Sequence, residues 1–211
     1  MTAAADNKLP LPLGRDALRG VAGGHPPIDG THGADIINDG QGNDIVLAGR
    51  GDDIVMASSG DDSIDLGAGN DIAYAGLGAD TVSGGTGEDQ VYAEEGDDRI
   101  EGGAGDGKSD LLLGGEGNDT YVWAPGDGSD MIIESSGTDR IELVGVSFDT
   151  LQQLWRAGLF TGFNHPGFTM RLDGDVVTFH AADGSPISLD GHLQVEGETL
   201  SFSGIESFRL A

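Results

Sequence analysis

From Gly30 to Val122 an aspartate returns every nine residues: Asp35, Asp44, Asp53, Asp62, Asp71, Asp80, Asp89 and Asp98. A glycine stands two positions before each one, at Gly33, Gly42, Gly51, Gly60, Gly69, Gly78, Gly87 and Gly96. A mostly aliphatic residue stands two positions after, at Ile37, Val46, Val55, Ile64, Ala73, Val82, Val91 and Ile100. After a short insertion the phase resumes with Asp110 and Leu112, then Asp119 and Tyr121. Chance does not hold three positions in phase through eight uninterrupted repeats. The segment must therefore fold as an array whose units lean on their neighbours.

The residue types supply the chemistry. Glycine takes φ > 0 and turns the chain tightly, so that successive backbone carbonyls converge on one point. Aspartate adds a carboxylate on a short arm at the end of that turn. Converging carbonyl and carboxylate oxygens suit a hard cation, and a flexible ring of six or more oxygens favours calcium over magnesium. The three residues after the turn read x-apolar-x, a short strand with its middle side chain inward. Two repeats then make one coil of eighteen residues, and repeats i and i+2 stack as parallel strands about 4.8 Å apart. Stacking brings their aspartates together, which they tolerate only with a cation between them.

The expected ligands follow. The pairs Asp35/Asp53, Asp44/Asp62, Asp53/Asp71, Asp62/Asp80, Asp71/Asp89 and Asp80/Asp98 should each clamp a calcium, with Asp89/Asp110, Asp98/Asp119 and Asp110/Asp130 extending the series. Backbone donors come from the turn glycines already named and from Gly40, Gly49, Gly67, Gly76, Gly85, Gly115 and Gly117. Roughly six to nine ions with oxygen-only ligands are expected.

Segments such as DGQGNDIVL from Asp39, GGTGEDQVY from Gly84 and GGEGNDTYV from Gly114 closely resemble G-G-x-G-x-D-x-U-x, the calcium-binding repeat of RTX (repeats-in-toxin, hemolysin-type) proteins. The stretch NDTYVWAPGDGSDMIIESSGTDRIEL, from Asn118 to Leu143, resembles the tail found behind such arrays. The resemblance implies an all-β fold, a parallel β-roll (a right-handed β-solenoid of nonapeptide repeats) with a small mixed α/β C-terminal cap. It also implies export by type I secretion machinery through an uncleaved C-terminal signal, hence an extracellular location. Ser58 and Glu94 depart from the pattern at the second glycine of their turns, and Asp106-Gly107-Lys108 interrupts the phase.

Composition agrees. The net charge is −27, and 21 of the 37 acidic residues lie between Gly30 and Val122 against three basic ones. Such a segment repels itself and should be disordered without a counter-ion. The acidity argues against nucleic acid and anionic membranes as partners and for cations. There is no cysteine, so bound metal is the available means of holding the fold. No stretch approaches a membrane span, and MTAAADNKLPLPLGRDALRGVAGG does not read as a Sec signal peptide.

Three regions are expected: an N-terminal lead-in or cap over 1–29, the roll over 30–125, and a capping and secretion-signal region over 126–211. In the lead, Arg15 to Val21 reads as a short helical turn. In the last region Gly126 to Ile133 offers one looser repeat and Thr138 to Val144 a strand. Phe148 to Phe160 has helical spacing. Phe168–Leu172 and Val176–Phe179 read as a hairpin, with short strands at Ile187–Leu189, Leu200–Phe202 and Ser207–Leu210. Trp155, Leu151 and Leu154 are the expected lid on the last coil.

No catalytic motif stands out: H-E-x-x-H, G-x-S-x-G and the P-loop are missing, and His25, His32, His165, His180 and His192 have no ligand spacing. Asp52-Asp53, Asp61-Asp62 and Asp97-Asp98 suggest acid/base pairs, but the repeat explains them better, the second binding metal and the first facing solvent. Sorting outward positions by sheet gives one apolar face, with Ile36, Ile54, Ile72, Gln90 and Leu111 beside Asn38, Met56, Tyr74, Tyr92 and Leu113. Its use stays open between cover by the chain's own ends and self-association or glycan binding. The expectation is a secreted, non-enzymatic calcium-binding β-roll that folds on extracellular calcium. The alternatives are an extracellular adhesin or matrix component, or the C-terminal secretion and folding module of a larger exoenzyme.

Overall fold

The computed structural model describes residues 27–162, 164–165 and 167–211, so the helical turn expected at Arg15 to Val21 lies outside the described residues. Each x-apolar-x triplet becomes a strand: β1 (Ile28–Asp29), β2 (Ile36–Asn38), β3 (Ile45–Leu47), β4 (Ile54–Met56), β5 (Ser63–Asp65), β6 (Ile72–Leu77), β7 (Thr81–Ser83), β8 (Gln90–Glu95), β9 (Arg99–Glu101), β10 (Leu111–Glu116) and β11 (Thr120–Trp123). The coil continues through β12 (Met131–Ile133) and β13 (Asp139–Leu143). After them come α1 (Phe148–Ala157), β14 (Phe160–Gly162), β15 (Thr169–Asp173), β16 (Val176–His180), β17 (Leu189–Val195) and β18 (Glu198–Leu210).

Pairing skips one repeat. The even strands β2 to β12 form one parallel ladder, and the odd strands β1 to β13 form the other. Ile37 lies beside Val55 and Val46 beside Ile64, a register of 18 residues. Across the insertion the step lengthens to 21, with Val91 beside Leu112 and the inward phase kept. The fold is a parallel β-roll with two repeats per coil.

The inward residues stack in two columns. One runs Ile37, Val55, Ala73, Val91, Leu112, Ile132, and the other Val46, Ile64, Val82, Ile100, Tyr121, Ile141. All are buried. Alanines at the start of the turns, such as Ala57, Ala75 and Ala93, are also fully buried, and their size lets the two sheets approach closely.

The C-terminal region corrects two expectations. The segments Leu200–Phe202 and Ser207–Leu210 are one strand, β18, whose first part pairs in parallel with β12 and whose second part pairs with β13. Gly204, at φ 76°, and a register shift beside Asp139 let it pass from one sheet to the other. The strand is therefore a compressed final coil, and Phe202 and Phe208 sit directly over Ile132 and Ile141. Phe160 and Phe179 pack edge-on, Phe208 packs against both, and all three rings are buried.

The lid is thus β18 and its aromatic cluster, backed by antiparallel β16 and β17. Helix α1, capped by the Ser147 side chain and ended by Gly158 at φ 75°, packs on β14 and β17. Leu151 is buried there, but Trp155 is 37% exposed, stacked on Phe168. An exposed side chain seals little. The expected hairpin is present as β15 and β16.

The outward face of the even sheet is apolar as the spacing predicts, with Ile36 53% and Tyr74 39% exposed and the Tyr74 and Tyr92 rings stacked. The odd sheet is mainly polar outside, with Ile45 and Leu47 of β3 as exposed exceptions, and Arg99 pairs with Glu142 across the intervening β11.

Two outcomes check this packing by denaturation at saturating calcium. Ile64→Ala should cost about 2–4 kcal/mol, since the close-packed column leaves a cavity. Phe208→Ala should raise the calcium needed for folding, whereas Trp155→Ala should leave it nearly unchanged; the reverse order would return the lid to the helix.

Candidate metal centre

Every turn ends in an aspartate that immediately precedes or opens the strand and stands two residues before its inward side chain. The carboxylate therefore projects from the roll edge toward the neighbouring turn. Along one edge stand Asp35, Asp53, Asp71, Asp89, Asp110 and Asp130; along the other, Asp44, Asp62, Asp80, Asp98, Asp119 and Asp139.

Each aspartate after the first in its file accepts the backbone N–H of the one a coil earlier. The bonds run from Asp35 to Asp53, Asp53 to Asp71, Asp71 to Asp89, Asp89 to Asp110 and Asp110 to Asp130, at 2.6–2.9 Å through Oδ1. On the other edge they run Asp44 to Asp62, Asp62 to Asp80, Asp80 to Asp98, Asp98 to Asp119 and Asp119 to Asp139, at 2.7–2.8 Å. Glu206 of β18 ends this ladder by accepting from Asp139 N–H at 2.7 Å. At the start of the first edge, Asp35 Oδ2 is taken by the backbone and hydroxyl of Thr31, at 2.6 and 2.8 Å.

The second oxygen is the informative one. Oδ2 of Asp53, Asp62, Asp71, Asp80, Asp89, Asp98, Asp110 and Asp119 is buried and accepts no hydrogen bond among the described residues. A buried carboxylate oxygen without a partner is strongly disfavoured. A row of them repeated at coil spacing is a row of candidate cation cradles.

The glycines complete the cradle. Gly87 has φ 133°, and a Cβ there would run into the carbonyl oxygen of Gly69 one coil earlier; Gly96 stands in the same relation to Gly78. Only glycine lets the turns stack this closely, and stacking brings carbonyl oxygens to the same edge as the carboxylates. Ser58 and Glu94 occupy the second-glycine position at φ 75° and 80°, so the turn keeps its shape there under backbone strain. The chemistry of this donor set, carboxylate and carbonyl oxygen only, fits calcium.

The first residue of each acid pair behaves differently. Asp52, Asp61 and Asp97 are exposed, and each accepts the backbone N–H of the next coil at Asn70, Ala79 and Asn118. They cross-link turns in solvent. Among the described histidines, His180 bonds Thr178 and the Gly184 carbonyl and His192 meets Thr161, with no metal-like grouping.

The structure also adds acids that spacing passed over. Asp139 belongs to the ladder, and its signal was present in Gly137-Thr138-Asp139-Arg140-Ile141, one period after Asp130. Glu206 stands in an analogous Gly204-Ile205-Glu206-Ser207-Phe208, hidden by glutamate in place of aspartate. Inside the second edge, Asp39 joins Asp44 and Asp62, and Glu134 joins Asp119 and Asp139, each trio with its oxygens within 4.8 Å of one another. Glu134 is held by the Tyr121 hydroxyl. Gly114 leaves room for that contact, since a Cβ on it would strike Asp119, Glu134 and Tyr121.

Burial, reinforced by neighbouring carboxylates and opposed by the backbone N–H bonds, pushes these acids up in the metal-free roll. Asp71, Asp80, Asp110 and Asp119 rise to about 6; Asp89, Asp98 and Asp130 rise to about 7. Asp39 rises to about 8.

A raised folded-state value means the metal-free roll binds more protons than the unfolded chain. This contribution to stability is full below about 3.8 and is lost as pH rises through 6–7. In chelator, β-sheet circular dichroism should therefore grow as pH falls from 8 to 5. Over the same range the apparent calcium affinity should fall, because protons compete for the ligands. A chelated chain equally unstructured at both pH values, or an affinity indifferent to pH, would contradict the assignment of buried carboxylates.

Comparison with known proteins gives one family. The RTX calcium-binding nonapeptide repeat matches in four copies, at residues 28–55, 47–82, 74–108 and 105–122. No curated protein matches the chain. Among solved structures, the extracellular lipase LipA from Serratia marcescens is 14% identical, with a TM-score of 0.26, covering 89% of this chain. The chain spans about 40% of that lipase's length, and a likeness this slight carries no argument. Period, register and family match agree: residues 28–122 of this protein are an array of RTX calcium-binding nonapeptide repeats.

Proposed function

We propose that the chain is an exported, non-enzymatic calcium-binding protein that leaves the cell unfolded and folds on the calcium it meets outside. The observation that carries this reading is the double file of buried Oδ2 atoms with no partner. The resemblance to type I secreted repeat proteins supports the export route.

The ligands would be the file aspartates with the turn carbonyls, and bound calcium would supply the positive charge the edges lack. The chain's own residues do the rest. The Oδ1 bonds fix each carboxylate's orientation, and the glycines bring the turns close. The inward columns couple one coil to the next, so filling one cradle favours the adjacent coil. With a net charge of −27 and no disulfide, the chain has little to hold it together before that.

A second use is favoured by the exposed apolar face of β2, β4 and β6, namely self-association or glycan binding once folded. Light scattering with calcium and a glycan array distinguish these.

The main test is a calcium titration of the full chain followed by circular dichroism and equilibrium dialysis. The expected result is a disordered repeat segment in chelator, a cooperative gain of β signal with calcium, and roughly six to nine ions bound at saturation. A β spectrum unchanged by excess chelator, or uptake of fewer than about four ions, would sink the reading.

A further inference from the structure

The start of each turn on the second edge is an inward column. Strand registers place Asp39, Ala57, Ala75, Ala93, Gly114, Glu134 and Gly204 one above another. The middle of the column carries residues with one side-chain carbon or none. Asp39 opens the column, Glu134 stands one level below its closing Gly204, and the two acids are treated differently. Glu134 is only partly buried and is held by Tyr121 and by the N–H of Gly115.

Asp39 is 3% exposed, and neither of its carboxylate oxygens accepts a hydrogen bond among the described residues. It takes part in none of the ion pairs found there. It points at Asp44 and Asp62, with the three ligand oxygens within 4.8 Å of one another. Two oxygens on one calcium lie at most about 5 Å apart, so the trio fits around a single ion.

Fold alone does not call for this residue, because the same column accepts alanine at three successive levels. A third carboxylate adds ligand charge to a site whose regular counterparts have two, and ligand charge is a main determinant of calcium affinity. Resting on the calcium-binding reading above, we propose that Asp39, Asp44 and Asp62 together hold one calcium ion more tightly than the regular two-aspartate cradles. This site fills first when calcium is limiting and sets the order in which the array loads.

Isothermal titration of the full chain with calcium, alongside Asp39→Ala and Asp39→Asn, tests it. Alanine reproduces what the column carries at Ala57, and asparagine keeps the shape while removing the charge; circular dichroism at saturating calcium checks that each variant folds. The wild type should show one site about tenfold tighter than the rest, and both variants should lose that class while the weaker sites keep their affinity. Loss of one whole ion from the stoichiometry would support the assignment equally. Variant isotherms that superimpose on the wild type would overturn it while leaving the calcium-binding reading intact. A wild type that takes up no calcium would overturn both.

Discussion

Everything in this fold depends on burying like charges in line. The Oδ1 bonds to the backbone of the preceding coil favour the stack, each worth about 1.5–3 kcal/mol as a bond to a charged group. Desolvating a carboxylate whose other oxygen finds no donor costs several kcal/mol even after relaxation, and the files repeat that cost at every level. The second effect is the larger, so the roll edges favour a proton or a cation beside each Oδ2. This imbalance is the physical ground for the proposal that folding and calcium binding are one process.

The interior ties each coil to the next. The two columns, Val, Ile and Ala with Leu112 and Tyr121, are buried between the two sheets with each level stacked on the next. Each coil is completed by its neighbours, so stability is shared along the axis rather than held in a centre. Such an arrangement has an end problem, because the last coil exposes apolar side chains and unpaired strand groups. Strand β18 solves it by imitating a coil: it pairs with both sheets, places Phe202 and Phe208 over the columns, and ends one aspartate ladder with Glu206.

The departures from the repeat are informative for the same reason. Ser58 and Glu94 show that the left-handed turn is imposed by stacking even where glycine is missing. The insertion around Asp106 is absorbed outside the ladder, where Asp106 accepts the Gly87 N–H at 2.7 Å while Asp89 still meets Asp110. The spacing changes and the stack does not.

The sequence by itself determined the roll: its period, its two-repeat coil, the inward columns, the aspartate files and the polarity of each outer face. These are legible because each is a local demand, a turn needing glycine or a strand alternating in and out, repeated until chance is excluded. The tertiary structure alone decided the cap and the two acid trios. Leu200–Phe202 and Ser207–Leu210 read as separate strands because nothing local shows that a bulge joins them across two sheets. Trp155 is helical in spacing yet partly exposed, since a hydrophobic stripe does not say what it faces. Asp39 and Glu134 acquire meaning only when stacking sets them against aspartates a coil away, a contact between residues far apart in the chain that no nine-residue pattern records.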